Sequence, residues 1–151
     1  MSTRLKVKML AVLGTVLLFQ LLGFVPKYDG KIDPKLKPYV TAVKNLSKGN
    51  LVPIAGMGFG HTEENELAFC FTGTDEITVN EKAWKRLNYQ RRVTLIAHEI
   101  AHCSCGQKHI DDIGLDACYK SFMSPSDTGA RCTKKMFDQY VKEMQEMDCG
   151  N

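Results

Sequence analysis

The sequence predicts an α+β fold in one domain, from two kinds of pattern. Apolar residues recur at helical spacing in three stretches, 38–48, 90–103 and 134–147. Between the first two lie short runs rich in Phe, Ile, Val and Thr, set off by Gly, Asp and Asn, which read as strands. A length of 151 residues supplies one sizeable core with appendages rather than two domains.

Residues 9–25 are uncharged and nearly all apolar, and Arg4, Lys6 and Lys8 precede them. A run this long, at the short end of the roughly 17–25 residues a bilayer helix needs, makes 1–25 an expected signal anchor or transmembrane helix. The N-terminus would then be cytoplasmic and the rest extracytoplasmic, periplasmic or extracellular. Secretion after removal of a signal peptide is the rival expectation, although no small-x-small site precedes Pro26. Residues 26–37 carry prolines and lysines and read as a linker, leaving 38–151 as the folded domain. The formal charge of +3 is accounted for by the three basic residues near the N-terminus. The remainder is balanced, which speaks against a nucleic-acid partner.

Six cysteines, Cys70, Cys103, Cys105, Cys118, Cys132 and Cys149, all follow the apolar run, an even number that fits disulfides in an exported domain. Cys70 with Cys103 is the preferred pair, because it would staple a strand to the neighbouring helix. A zinc site at Cys103-x-Cys105 is the competing idea, but a closed thiolate site would leave no open position for substrate.

Pro38 suits a helix start, with Tyr39, Val40, Val43 and Leu46 on one face and Gly49-Asn50 ending it. Residues 51–60 read as a strand running into a Gly-rich turn. No helix follows Gly56-x-Gly58-x-Gly60, so it is not a dinucleotide fingerprint. His61 reads as an exposed loop residue. Residues 67–72 and 76–80 form an expected hairpin about Gly73-Thr74-Asp75. Asn80 is positioned to cap a short helix containing Trp84 and Leu87, with Trp84 taken as core. Asn88 caps the next helix, whose stripe is Val93, Ala97, Ile100 and Ala101, and Gly106 ends it as a left-handed residue.

That helix carries His98-Glu99-Ile100-Ala101-His102, and His109 follows Gly106. Histidines four apart lie on one helical face, roughly 5–6 Å apart at Cβ, so both imidazoles reach one ion. Glu99 projects about 100° away, where a general base stands beside a metal without binding it. His109, brought back by the turn, would be the third ligand. Three protein ligands leave a fourth tetrahedral position for water, whose pKa zinc lowers to about 7. Asp112, in the acidic run Asp111, Asp112 and Asp116, is an alternative third ligand. So are Glu143 and Glu146, among the polar positions of a helix whose apolar face is Met136, Phe137, Tyr140, Val141 and Met144.

These residues resemble the zinc signature of metzincin metallopeptidases, the clan of matrixins and astacins. Ser121-Phe122-Met123-Ser124-Pro125 resembles that clan's Met-turn, with Met123 as its methionine. The stretch 80–125 is also similar to small bacterial and phage metallopeptidases. Two positions depart from the clan: Gly106 follows His102 by one residue more than usual, and Pro125 stands where astacins have a tyrosine. The resemblance implies a mixed sheet packed on an active-site helix. It also implies one catalytic Zn²⁺ held by His98, His102 and His109, Glu99 as general base, and a peptide or protein substrate added along a sheet edge. The expected activity is that of a zinc-dependent endopeptidase, with peptidoglycan cross-links as a variant substrate. An inactive zinc- and disulfide-stabilised binding or structural module is the non-enzymatic alternative.

Overall fold

The computed structural model describes residues 32–53 and 55–149, and within them the chain is α+β. The expectation of an anchor over 1–25 lies outside the described residues. Among those described, no helix is long and apolar enough to cross a membrane. Helix α1 spans Lys37–Leu46, strand β1 Met57–Gly60, β2 Ala68–Phe71 and β3 Glu76–Asn80. Helices α2 (Glu81–Trp84), α3 (Tyr89–Cys105) and α4 (Gly129–Glu146) follow.

The three strands form one mixed sheet in the order β1-β3-β2. β1 runs parallel to β3, with Met57 opposite Ile77, and β2 runs antiparallel, with Cys70 opposite Ile77. β2 is therefore an edge strand. The turn between β2 and β3 closes through the Thr74 N–H donating to the Phe71 carbonyl at 3.0 Å.

Two corrections concern the first third of the fold. The strand expected within 51–60 is confined to Met57–Gly60, and Gly58 and Gly60 lie in it rather than in a turn. Gly60 is there for close approach: a Cβ would stand 2.7 Å from Thr78 Cγ2 on the neighbouring strand. The described end of the expected linker is also packed. Ile32 bridges Met57 in parallel, Asp33 N–H donates to the Met57 carbonyl at 2.8 Å, and Leu36 is fully buried. Composition hid this, because one buried leucine among lysines and prolines carries no periodicity.

α3 is the central element, touching α1 and α4 as well as β2 and β3. Its ends are set locally. Asn88 Oδ1 accepts from the Arg91 N–H at 3.0 Å, and Gly106 terminates it at φ 61°, a conformation glycine adopts without penalty. Val93, Ile96, Ala97, Ile100 and Ala101 of α3 are buried together with Val43, Ile77, Val79, Tyr140 and Met144. Trp84 is core, edge-on to Tyr39 at 4.8 Å and to Phe59 at 5.9 Å.

Three disulfides link the elements: Cys70–Cys103, Cys105–Cys149 and Cys118–Cys132. The first joins the edge strand to α3, as its place in the sequence led us to expect. The idea of a Cys103-x-Cys105 metal site is overturned, since each sulfur is bonded elsewhere.

Candidate metal centre

His98 and His102 project from the last two turns of α3, and the chain reverses at Gly106 to return His109 to them. Two hydrogen bonds at Gln107 fix this turn. Gln107 N–H donates to the Ala101 carbonyl at 3.1 Å, and the Gln107 carbonyl receives His102 Nδ1 at 2.6 Å. The three Nε2 atoms converge, His98 to His102 at 2.9 Å, His102 to His109 at 3.0 Å and His109 to His98 at 3.2 Å.

A tetrahedral ion with nitrogens at about 2.0–2.1 Å places them about 3.3 Å apart, close to what is seen. Hydrogen bonding does not account for the shortest side of the triangle, His98 to His102. His98 Nδ1 lies 2.9 Å from the Phe122 carbonyl, and His102 Nδ1 faces the Gln107 carbonyl. A carbonyl only accepts, so both Nδ1 atoms carry the proton and both Nε2 atoms present lone pairs. Lone pairs facing one another at this distance repel unless a cation sits between them. His98, His102 and His109 therefore form a group that could hold a metal ion.

The environment favours the neutral form of His98 and of His102. Burial drops His98 to about 4, opposed by the Phe122 carbonyl and reinforced by the other two histidines. Burial also lowers His102, with the Gln107 carbonyl pulling the other way and His109 adding to the fall. Glu99 stands outside the ligand group but lines the same cleft, and is only 4 % exposed. Burial pushes its carboxyl up to about 8, with Glu66 raising it further and the Cys70 backbone opposing. A divalent cation alongside would pull that value back down.

The cleft holds about 720 Å³ and opens between β2 and the segment 122–128. Ala68, Phe69 and Cys70 all line it. Consecutive residues of a strand point to opposite faces, so it is the edge of β2, not a face, that borders the cleft.

The turn 121–124 is buried throughout, with Met123 fully so. Its carbonyls reach both parts of the centre. Phe122 C=O accepts from His98, and Met123 C=O accepts from the N–H of Ile110, the neighbour of His109, at 2.8 Å.

The alternative third ligands lie elsewhere. Asp112 is exposed and pairs with Lys120 at 3.1 Å, while its carbonyl accepts from Lys120 N–H. Asp111 is exposed, and Asp116 pairs with Lys135. Glu146 pairs with Lys142 at 3.8 Å. Glu143 is half-buried and accepts from Ser121 Oγ and from Phe122 N–H. The sequence reading gave no role to Gln107 or to the Ser121 hydroxyl, and took Glu143 for a possible ligand. Only Glu143 left a signal: it follows Met136 and Tyr140 at helical spacing, so this polar position borders the apolar face of α4.

Comparison of the chain with protein-family models, with curated proteins and with solved structures finds no match.

Proposed function

We propose that the chain is a zinc-dependent endopeptidase of metzincin type, with His98, His102 and His109 as metal ligands and Glu99 as general base. One observation carries the proposal. Three Nε2 atoms converge within 3.2 Å, in a cleft that a buried carboxylate also lines and the edge of β2 borders. Bound zinc would supply Lewis acidity toward a carbonyl and toward water. The chain's own groups supply the rest. The hydrogen-bonded Nδ1 atoms hold two of the rings in the tautomer that leaves Nε2 free. Glu99 takes a proton from water at its carboxylate and delivers it to the leaving amine. The edge of β2 binds an extended peptide by main-chain pairing across the cleft. Met123 serves in the turn that backs the ligands.

Zinc rather than a harder ion follows from the donor set, since three imidazoles suit zinc and not magnesium or calcium. The three disulfides favour an extracytoplasmic domain, tethered by the N-terminal apolar segment. A purely structural site has no use for Glu99, whose burial costs stability, and this weighs against the inactive-module alternative.

The test is hydrolysis of casein and of purified peptidoglycan by the zinc-loaded full chain, beside Glu99→Gln. The substitution should keep zinc and lose cleavage by a factor of about 10²–10⁴. Wild-type rates in Glu99→Gln would remove Glu99 from this role, and the substrate digested decides between a general and a cell-wall peptidase.

A further inference from the structure

Glu143 uses both of its oxygens on a single turn more than twenty residues earlier in the chain. Ser121 Oγ donates to Oε1, and the Phe122 N–H donates to Oε2 at 3.0 Å. Ser121 Oγ in turn accepts from the Met123 N–H at 3.0 Å. That N–H belongs to the peptide unit whose carbonyl, Phe122 C=O, receives His98 Nδ1 at 2.9 Å. Every donor in this run points the same way. His98 Nδ1–H donates to the peptide 122–123, that peptide's N–H to the Ser121 hydroxyl, and the hydroxyl to the Glu143 carboxylate.

We propose that Glu143 is a positioning residue for the metal centre, acting on His98 through the Ser121 hydroxyl and the Phe122–Met123 peptide. This rests on the metal-centre reading of His98, His102 and His109. A chain of hydrogen bonds ending on a carboxylate polarises each link, so the Phe122 carbonyl becomes a stronger acceptor and His98 Nε2 a better donor to a metal. The same anchorage fixes the Met123 carbonyl, which holds Ile110 beside His109 at 2.8 Å. One side chain on α4 thus governs two of the three ligands without touching either. A carboxylate acting directly on a metal-bound histidine does this over one bond. Here the charge acts through a peptide and a hydroxyl, in surroundings dry enough to transmit it: Ser121, Phe122 and Met123 are all buried.

The test is cobalt and zinc affinity of the full chain, measured by chelator competition, with the visible spectrum of bound cobalt reporting the geometry of its ligands. Glu143→Ala should weaken metal binding about 10–100-fold and alter the cobalt bands. Glu143→Gln, which keeps an acceptor for Phe122 N–H but loses the charge, should fall between it and wild type. Ser121→Ala interrupts the same run. The double variant Glu143→Ala/Ser121→Ala should therefore bind no more weakly than Glu143→Ala alone. Tyr140→Phe is the structural control. It removes a 2.8 Å hydrogen bond from the same helix to the Tyr119 carbonyl, and should lower the melting temperature while leaving cobalt binding unchanged. Glu143→Gln and Ser121→Ala carry the test should Glu143→Ala not fold. Unchanged affinity and spectrum in these variants, with wild type binding normally, overturns the role of Glu143 alone. A wild-type chain that takes up neither metal overturns the metal centre and this inference with it.

Discussion

Zinc should act on this fold as a fourth cross-link, and its worth can be read through His109. In the metal-free protein His109 is exposed, and its Nε2 lies 3.0 Å from His102 Nε2 and 3.2 Å from His98 Nε2. His109→Ala should therefore cost the metal-free protein less than about 0.5 kcal/mol, the range of ordinary surface substitutions. With zinc the balance changes. An ion that binds only the folded state at a hundred times its dissociation constant adds about 2.7 kcal/mol. For a domain of roughly 120 residues, that corresponds to a rise of about 8–14 °C in melting temperature. His109→Ala should forfeit most of the rise, and His98→Ala and His102→Ala all of it. Asp112→Ala should keep it, because Asp112 pairs with Lys120 outside the ligand group. The assay is thermal unfolding of each protein with chelator and with zinc, disulfides intact. Equal melting temperatures with and without zinc in wild type, or an undiminished rise in His109→Ala, would refute the three-ligand geometry.

Other consequences can be measured as directly. Thr94 Oγ1 is buried with no hydrogen-bond partner among the described residues, so Thr94→Val should raise stability by about 1 kcal/mol; a loss in urea denaturation would show that the hydroxyl is bonded after all. Leu36→Ala should cost about 2–5 kcal/mol if the segment before α1 belongs to the core, and a neutral result would return it to a linker. In metal-stripped protein, Glu99 holds its proton up to about 8 in the fold against an ordinary value of 4.5, so the folded state binds the extra proton and stability falls as pH rises through that window. His98, dropped from 6.5 to about 4, acts oppositely: the unfolded state takes its proton first, and stability falls as pH drops through that range. Of these two groups, only Glu99 still acts well above pH 6.5. Wild type should thus lose up to about 2 kcal/mol between pH 6.5 and 8, a loss absent in Glu99→Gln. Parallel urea titrations of the two proteins at those pH values check the sign.

Local signals made much of the fold legible. The caps Asn80 and Asn88 and the terminator Gly106 stand where their side chains or backbone freedom require, and α3 emerges within a residue or two of its expected span. The hairpin of β2 and β3 was readable for the same reason: β-rich runs flank a short turn. What the sequence withheld was non-local. The pairing of β1 with β3 rather than with its sequence neighbour β2 depends on strands meeting across the sheet. The fit of Gly60 against Thr78 also depends on that meeting. Leu36 is buried because Ile32 joins β1 ahead of it, and no pattern within residues 26–37 reveals that.

The site divides along the same line. His98, Glu99 and His102 were visible because one helix sets their spacing, and His109 because one glycine turn returns it. The groups that hold the rings are main-chain carbonyls of Phe122 and Gln107, and a carbonyl has no residue type by which to find it. Glu143 was visible but misplaced. A glutamate on α4 was weighed as a ligand, as helical position alone allows, whereas its two oxygens are already taken by Ser121 and Phe122. Moving Glu143 to a metal would orphan a buried N–H at Phe122. Any influence of Glu143 on the metal must therefore run through the turn, and the turn touches His98 directly and His109 through its neighbour. Substitutions on α4 that spare Glu143 should leave metal affinity alone even when they cost stability, which separates the turn's electrostatic role from its packing.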